Sequence, residues 1–87
     1  MNEKRIFKYQ LPFYGKASFM NIDKILLVDF QGPALCFWAE HTEGGNNQIN
    51  LYVAFTGENV PNGEHVGSAA TMLDGDPFVV HLYRVPE

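Results

Sequence analysis

The sequence predicts an all-β fold, an antiparallel meander of six to seven short strands closed into a small barrel or a two-layer sandwich. Three observations carry this. Apolar residues recur at every second position in most segments, while the spacing of an amphipathic helix is hard to find. Intervals rich in Gly, Pro, Asn and Asp separate those segments. The intervals are also short, and parallel pairing would need crossovers of roughly a dozen residues for which there is no room.

Segment 5–11 alternates, with Phe7, Tyr9 and Leu11 on one face and Lys8 and Gln10 on the other. Pro12 has no amide donor and ends the strand or marks a sheet edge. Gly15 permits a change of direction before a short strand at 17–20, and 21–24 reads as a connection with Ile22 turned inward. Segment 24–31 is apolar on both faces until Asp29, as suits a central strand. Gly32-Pro33 then breaks the chain into a hairpin with segment 34–41. This pair holds Phe30, Phe37 and Trp38, each able to bury about 150–250 Å².

Residues 42–47 form a loop with two glycines and two asparagines. Alternation resumes over 48–55, with Ile49, Leu51, Val53 and Phe55 on one face, before a second loop at 56–64. Segment 65–73 is a weaker strand with Val66, Ala70 and Met72 on one side, its small residues 67–70 allowing close packing or a bulge. A turn at 74–77 leads to segment 78–85, where Phe78, Val80 and Leu82 oppose Val79, His81, Tyr83 and Val85. A strongly bent sheet with an apolar face completed by a second subunit is the variant of this architecture.

Eighty-seven residues suffice for one domain, 1–87. A chain this short hides only about 60–65% of the surface its unfolded form exposes, which makes association into a homo-oligomer one remedy for a thin core. Ten acidic residues against six Lys and Arg give a formal charge of -4, which argues against nucleic acid as the partner. The absence of an apolar run near 20 residues argues against a membrane span, and a secretory leader is not evident at the start. Cytoplasmic residence follows as the expectation. Cys36 is the single cysteine, so an intrachain disulfide and a thiolate zinc site have no basis, and it reads as a small buried hydrophobe.

Candidate chemistry is sparse. His41, His65 and His81 match no local metal-ligand spacing, and they read as a solvated strand end, a loop flank and a satisfied strand residue. Ser18 and Ser68 lack a nucleophile elbow, and Asp74-Gly75-Asp76 is turn chemistry rather than a calcium loop. No catalytic residue, metal or cofactor is therefore assigned. Arg5, Lys8 and Arg84 form a candidate anion site, because chain termini often approach each other in small domains.

Twelve aromatic residues are more than a domain this small can easily bury, so an exposed patch is expected. Phe13 and Tyr14, in a turn after Pro12, are its best candidates, with Trp38 as a third partner-binding residue.

The opening Ile6-Phe7-Lys8-Tyr9-Gln10-Leu11-Pro12 resembles that of a family of small, uncharacterised proteins of phages and prophages. Further landmarks are Phe37-Trp38-Ala39, Thr56-Gly57, Val66-Gly67-Ser68 and Val80-His81-Leu82-Tyr83. The chain departs from the family at Phe55-Thr56-Gly57, where members carry Gly-Thr-Gly. The resemblance implies a phage-type origin and a small β fold, with no established reaction and no catalytic residues to carry over. Together with the missing catalytic pattern it points to a non-catalytic accessory protein, host-cytoplasmic, that binds and modulates or inhibits a host or bacterial-defence protein. The alternative is a binder of a nucleotide signal, with its site between subunits.

Overall fold

A computed structural model describes residues 3–86. Seven strands form two antiparallel sheets: β1 (Lys4–Gln10), β2 (Gly15–Met20), β3 (Ile22–Gln31), β4 (Ala34–Thr42), β5 (Gln48–Phe55), β6 (Glu64–Leu73) and β7 (Asp76–Val85). One sheet has the order β1-β4-β3 and the other β2-β5-β7-β6. The architecture is the two-layer sandwich among the predicted forms. Its strand order is not that of one continuous meander, because β3–β4 and β6–β7 alone pair as chain neighbours.

Local chemistry explains both hairpins. Gly32 has φ 60 and precedes Pro33, which suits a two-residue turn with glycine first. Asp74 and Gly75 have φ 50 and 83, the paired positive values of the turn that matches strand twist.

The chain passes between sheets at Asn21, whose φ of 65 makes a corner between β2 and β3. Its amide donates to Asn47 O at 2.8 Å, its carbonyl accepts from the Thr42 amide at 3.1 Å, and Asn47 Nδ2 donates to Ile22 O at 2.8 Å. What reads as a four-residue connection is thus one residue, with Ile22 buried as predicted. Asparagine tolerates this left-handed conformation better than other residues with a side chain.

The core lies between the sheets. Val28, Leu35, Phe37 and Ala39 from the three-stranded sheet meet Ile49, Leu51, Val53, Ala69, Val80 and Leu82 from the other. Leu11 closes one end, its amide bonded to Leu35 O at 2.8 Å. Cys36 is buried but projects, with Trp38, from the opposite side of β4.

The inward side of β6 differs from the sequence expectation. His65 pairs with Tyr83 and Gly67 with Leu82, so Val66 is an extra residue in the ladder. This bulge reverses the alternation downstream. Val66 still packs on the core, but Ala69 rather than Ala70 is buried, and Met72 is 62% exposed. Gly67 faces β3 so closely that a Cβ there would stand 2.7 Å from Val28 Cγ2.

The described residues include no helix, and so none long and apolar enough to cross a membrane.

Candidate docking groove

At the end of the sandwich where β1 gives way to β2, the sheets part around an apolar groove of about 480 Å³. Its walls come from four places in the chain: Phe13 and Tyr14, Phe30 with Pro33, Phe55, and the β6–β7 hairpin with Met72, Leu73 and Phe78. Each piece is there for a local reason. Pro12 ends β1 after Leu11 has plugged the core, and the following two rings are left on the connection. Phe30, Phe55 and Phe78 occupy inward positions at strand ends, where one side of each ring lacks a facing layer and they remain half-buried.

The rings contact one another in two sets around the groove. Tyr14 and Phe55 have centroids 5.7 Å apart, Phe55 and Phe78 5.3 Å, and Phe13 and Phe30 6.4 Å. Phe13 is 49% exposed, Tyr14 68% and Leu73 56%. Desolvating such rings against a partner gives aromatic anchors their weight in binding.

The lining residues are uncharged, but the segments that carry them are acidic. Asp29 precedes Phe30, Asp74 lies in the hairpin turn and Asp76 directly after it, and Glu58 Oε1 accepts from the Phe55 amide at 2.8 Å. Lys16 is the nearest cation in the chain to Tyr14 and lies on the outward side of β2, since Ala17 and Phe19 occupy the inward positions.

The sequence-predicted residues divide among surfaces. Phe13 and Tyr14 come together in the groove. Trp38 does not join them: it is half-buried on the outer face of the three-stranded sheet, between Lys8 and Leu27 in register. Phe30, Phe55, Phe78, Met72 and Leu73 were not singled out as site residues, because alternation marks the first three as core and the last two belong to a weak strand.

Arg5, Lys8 and Arg84 do not gather at one place. Arg5 and Lys8 occupy opposite sides of β1, because successive side chains of a strand alternate. Arg5 pairs with Glu3 at 3.0 Å, and the Lys8 ammonium bonds Gln31 Oε1. Arg84 stands on β7 in the other sheet, opposite Glu64 in register.

One further cluster lies along β1. Tyr9 stacks on Phe37 with centroids 5.0 Å apart, and its hydroxyl bonds His41 Nδ1 at 2.9 Å. Desolvation by burial raises the Tyr9 phenol above its ordinary value of 10.0.

No curated protein and no solved structure matches this chain. A family profile does match, over residues 2–87, and its description is a domain of unknown function, DUF7352. The chain belongs to that family.

Proposed function

We propose that this protein is a non-catalytic binding module that seats an apolar anchor of a partner protein in the end groove. By occupying that partner's surface it modulates or inhibits it. The observation that carries the reading is the groove itself: four exposed apolar side chains, Phe13, Tyr14, Met72 and Leu73, meet at one end of a small domain. Apolar surface concentrated in this way marks interaction sites.

The partner's chemistry follows from the charge of the surrounding segments. Asp29, Glu58, Asp74 and Asp76 lie on the segments that carry the uncharged lining, which favours a complementary segment with an aromatic or aliphatic anchor flanked by Lys or Arg. The host- or defence-directed part of the proposal is supported by the resemblance of the opening segment to phage-encoded proteins.

Selection from a library of displayed peptides tests the binding mode. The enriched sequences carry a large apolar residue with basic neighbours, and Phe13→Ala or Tyr14→Ala weakens them at least about tenfold, as for hot-spot residues. Both residues are exposed, so both variants keep the parent's cooperative unfolding. Enrichment of acidic sequences, or binding that survives both substitutions, contradicts the proposal.

A further inference from the structure

The outward face of the four-stranded sheet carries a cluster unrelated to the groove. Register places Lys16, Tyr52, Tyr83 and His65 in one row across β2, β5, β7 and β6, with Ser68 beside His81 in the next. His65 and Ser68 are three residues apart, a spacing that puts side chains on opposite faces of an unbroken strand. The bulge at Val66 returns them to one face, and His65 Nε2 lies 2.9 Å from Ser68 Oγ. Ser68 Oγ is also 2.8 Å from His81 Nδ1, and His81 Nε2 is 3.0 Å from Thr56 Oγ1.

Counting protons gives this chain a direction. With the Thr56 hydroxyl turned to Val79 O, 3.4 Å away, Thr56 Oγ1 accepts from His81 Nε2–H. His81 Nδ1 is then bare and accepts from Ser68, whose single proton is used there. Ser68 Oγ accepts in turn from His65 Nε2–H. With both rings neutral, every donor in the relay has an internal acceptor.

A proton taken up at His81 Nδ1 changes this. Ser68 Oγ then accepts from both rings, and its own O–H is released toward solvent. The cluster gains positive charge and a free donor in one step, which is what an anion needs. Histidine is the side chain that changes charge between about pH 5 and 8.

The surroundings favour the same ligand. Tyr83 meets His65 edge-on at 5.3 Å, while Lys16 and Tyr52 lie along its row. Among the described residues no carboxylate occupies an outward strand position of this sheet, although the chain has ten acidic residues. Glu64 adjoins His65 but pairs in register with Arg84 on the inward side, where Asp23, Lys24 and Arg84 line with it a hollow that His65 borders, and Glu58, on the neighbouring loop, accepts from the Phe55 amide. No third His, Cys, Asp or Glu completes a metal-ligand set among the described residues. A hollow of about 220 Å³ adjoins His81 and Tyr83, walled by Ala54, Val60 and Pro61, with Glu58 also in its lining, its carboxylate engaged by the Phe55 amide.

We propose that this face binds a nucleoside monophosphate, with the phosphate on Ser68, His65 and protonated His81 and the base in the hollow beside Tyr83. Binding is coupled to the uptake of one proton. The surface lies on the outward face of the sheet and shares with the docking groove only the strand end at Phe55 and the loop that follows it, so different substitutions test the two proposals.

Calorimetric titration with AMP, UMP, adenosine and inorganic phosphate at about pH 6, 7 and 8 tests it. AMP or UMP binds more tightly than either fragment, and affinity falls as pH rises from about 6 to 8, the direction that proton uptake on binding requires. Ser68→Ala weakens binding at least about tenfold at pH 6, whereas Phe13→Ala leaves it unchanged. The proposal is overturned if nucleotides fail to bind at pH 6, if adenosine binds equally well, if affinity is independent of pH, or if folded Ser68→Ala retains full affinity.

Discussion

Substituting Gly67 by alanine tests how the two sheets meet. The added Cβ stands 2.7 Å from Val28 Cγ2 and 3.2 Å from Val28 Cβ. Val28 cannot easily yield, because it is buried within the core and a β-branched side chain is stiff at χ1. Overpacking of this kind costs about 1–3 kcal/mol. The reduced freedom of the unfolded chain offsets about 0.4–1 kcal/mol of it. A net loss of about 1–2 kcal/mol is expected, which for a domain of this length lowers Tm by roughly 5–15 °C.

Urea unfolding of Gly67→Ala, Val28→Ala and the double variant measures the contact itself. Val28→Ala alone removes two buried methyl groups and costs about 2 kcal/mol. In the double variant the new methyl occupies the space that Val28 vacates, so the combined loss falls short of the sum by at least about 1 kcal/mol. Simple additivity, or a Gly67→Ala protein as stable as its parent, refutes the close approach of β3 and β6.

Asn21→Ala destabilises the domain by about 1–2 kcal/mol, the cost of a Cβ in the left-handed region without asparagine's tolerance for it. Asn21→Gly stays close to the parent in chemical unfolding, because glycine adopts φ 65 freely and removes a buried Oδ1 that has no hydrogen-bond partner. In alkaline spectrophotometric titration one tyrosine ionises above the ordinary value of 10.0, and that step disappears in Tyr9→Phe. Because the folded value is the raised one, this phenol's contribution to stability is complete below about pH 10 and declines as pH rises through the folded value. Cys36, only 2% exposed, reacts with a thiol reagent at the rate at which unfolding around β4 uncovers it, so denaturant accelerates its labelling along with unfolding.

Local signals in the sequence survive folding well. Gly32-Pro33 and Asp74-Gly75 determine their hairpins through backbone conformations that the turns require, and the alternation of 48–55 correctly places Ile49, Leu51 and Val53 in the core. Partition into sheets was not legible in the same way. The insertion of β7 between β5 and β6, and the pairing of β1 with β4, join segments far apart in the chain, with no local signature. A single extra residue, Val66, was enough to exchange the faces of β6 beyond it. That exchange also concealed the relay, since His65 and Ser68 share a face only because of the bulge.

The groove was legible in part. Phe13 and Tyr14 announce themselves as aromatic rings in a turn, where burial is rare. Phe30, Phe55 and Phe78 look like ordinary core residues, and their second role arises because the layers diverge where their strands end. Trp38 illustrates the reverse. Its size suggests an anchor or a core residue, yet it covers the outside of β4 between its neighbours Lys8 and Leu27.

Methionine methyl NMR tests the docking claim most directly, because the protein carries a probe inside the groove and another outside it. Met72 lines the groove, whereas Met20 lies on the outer side of β2 at the far end of that strand. Titration with a short peptide bearing tryptophan between lysines should shift the Met72 methyl resonance progressively and leave Met20 in place, with the response lost in Tyr14→Ala. A peptide that binds while moving Met20 and leaving Met72 still would contradict the groove as the docking site.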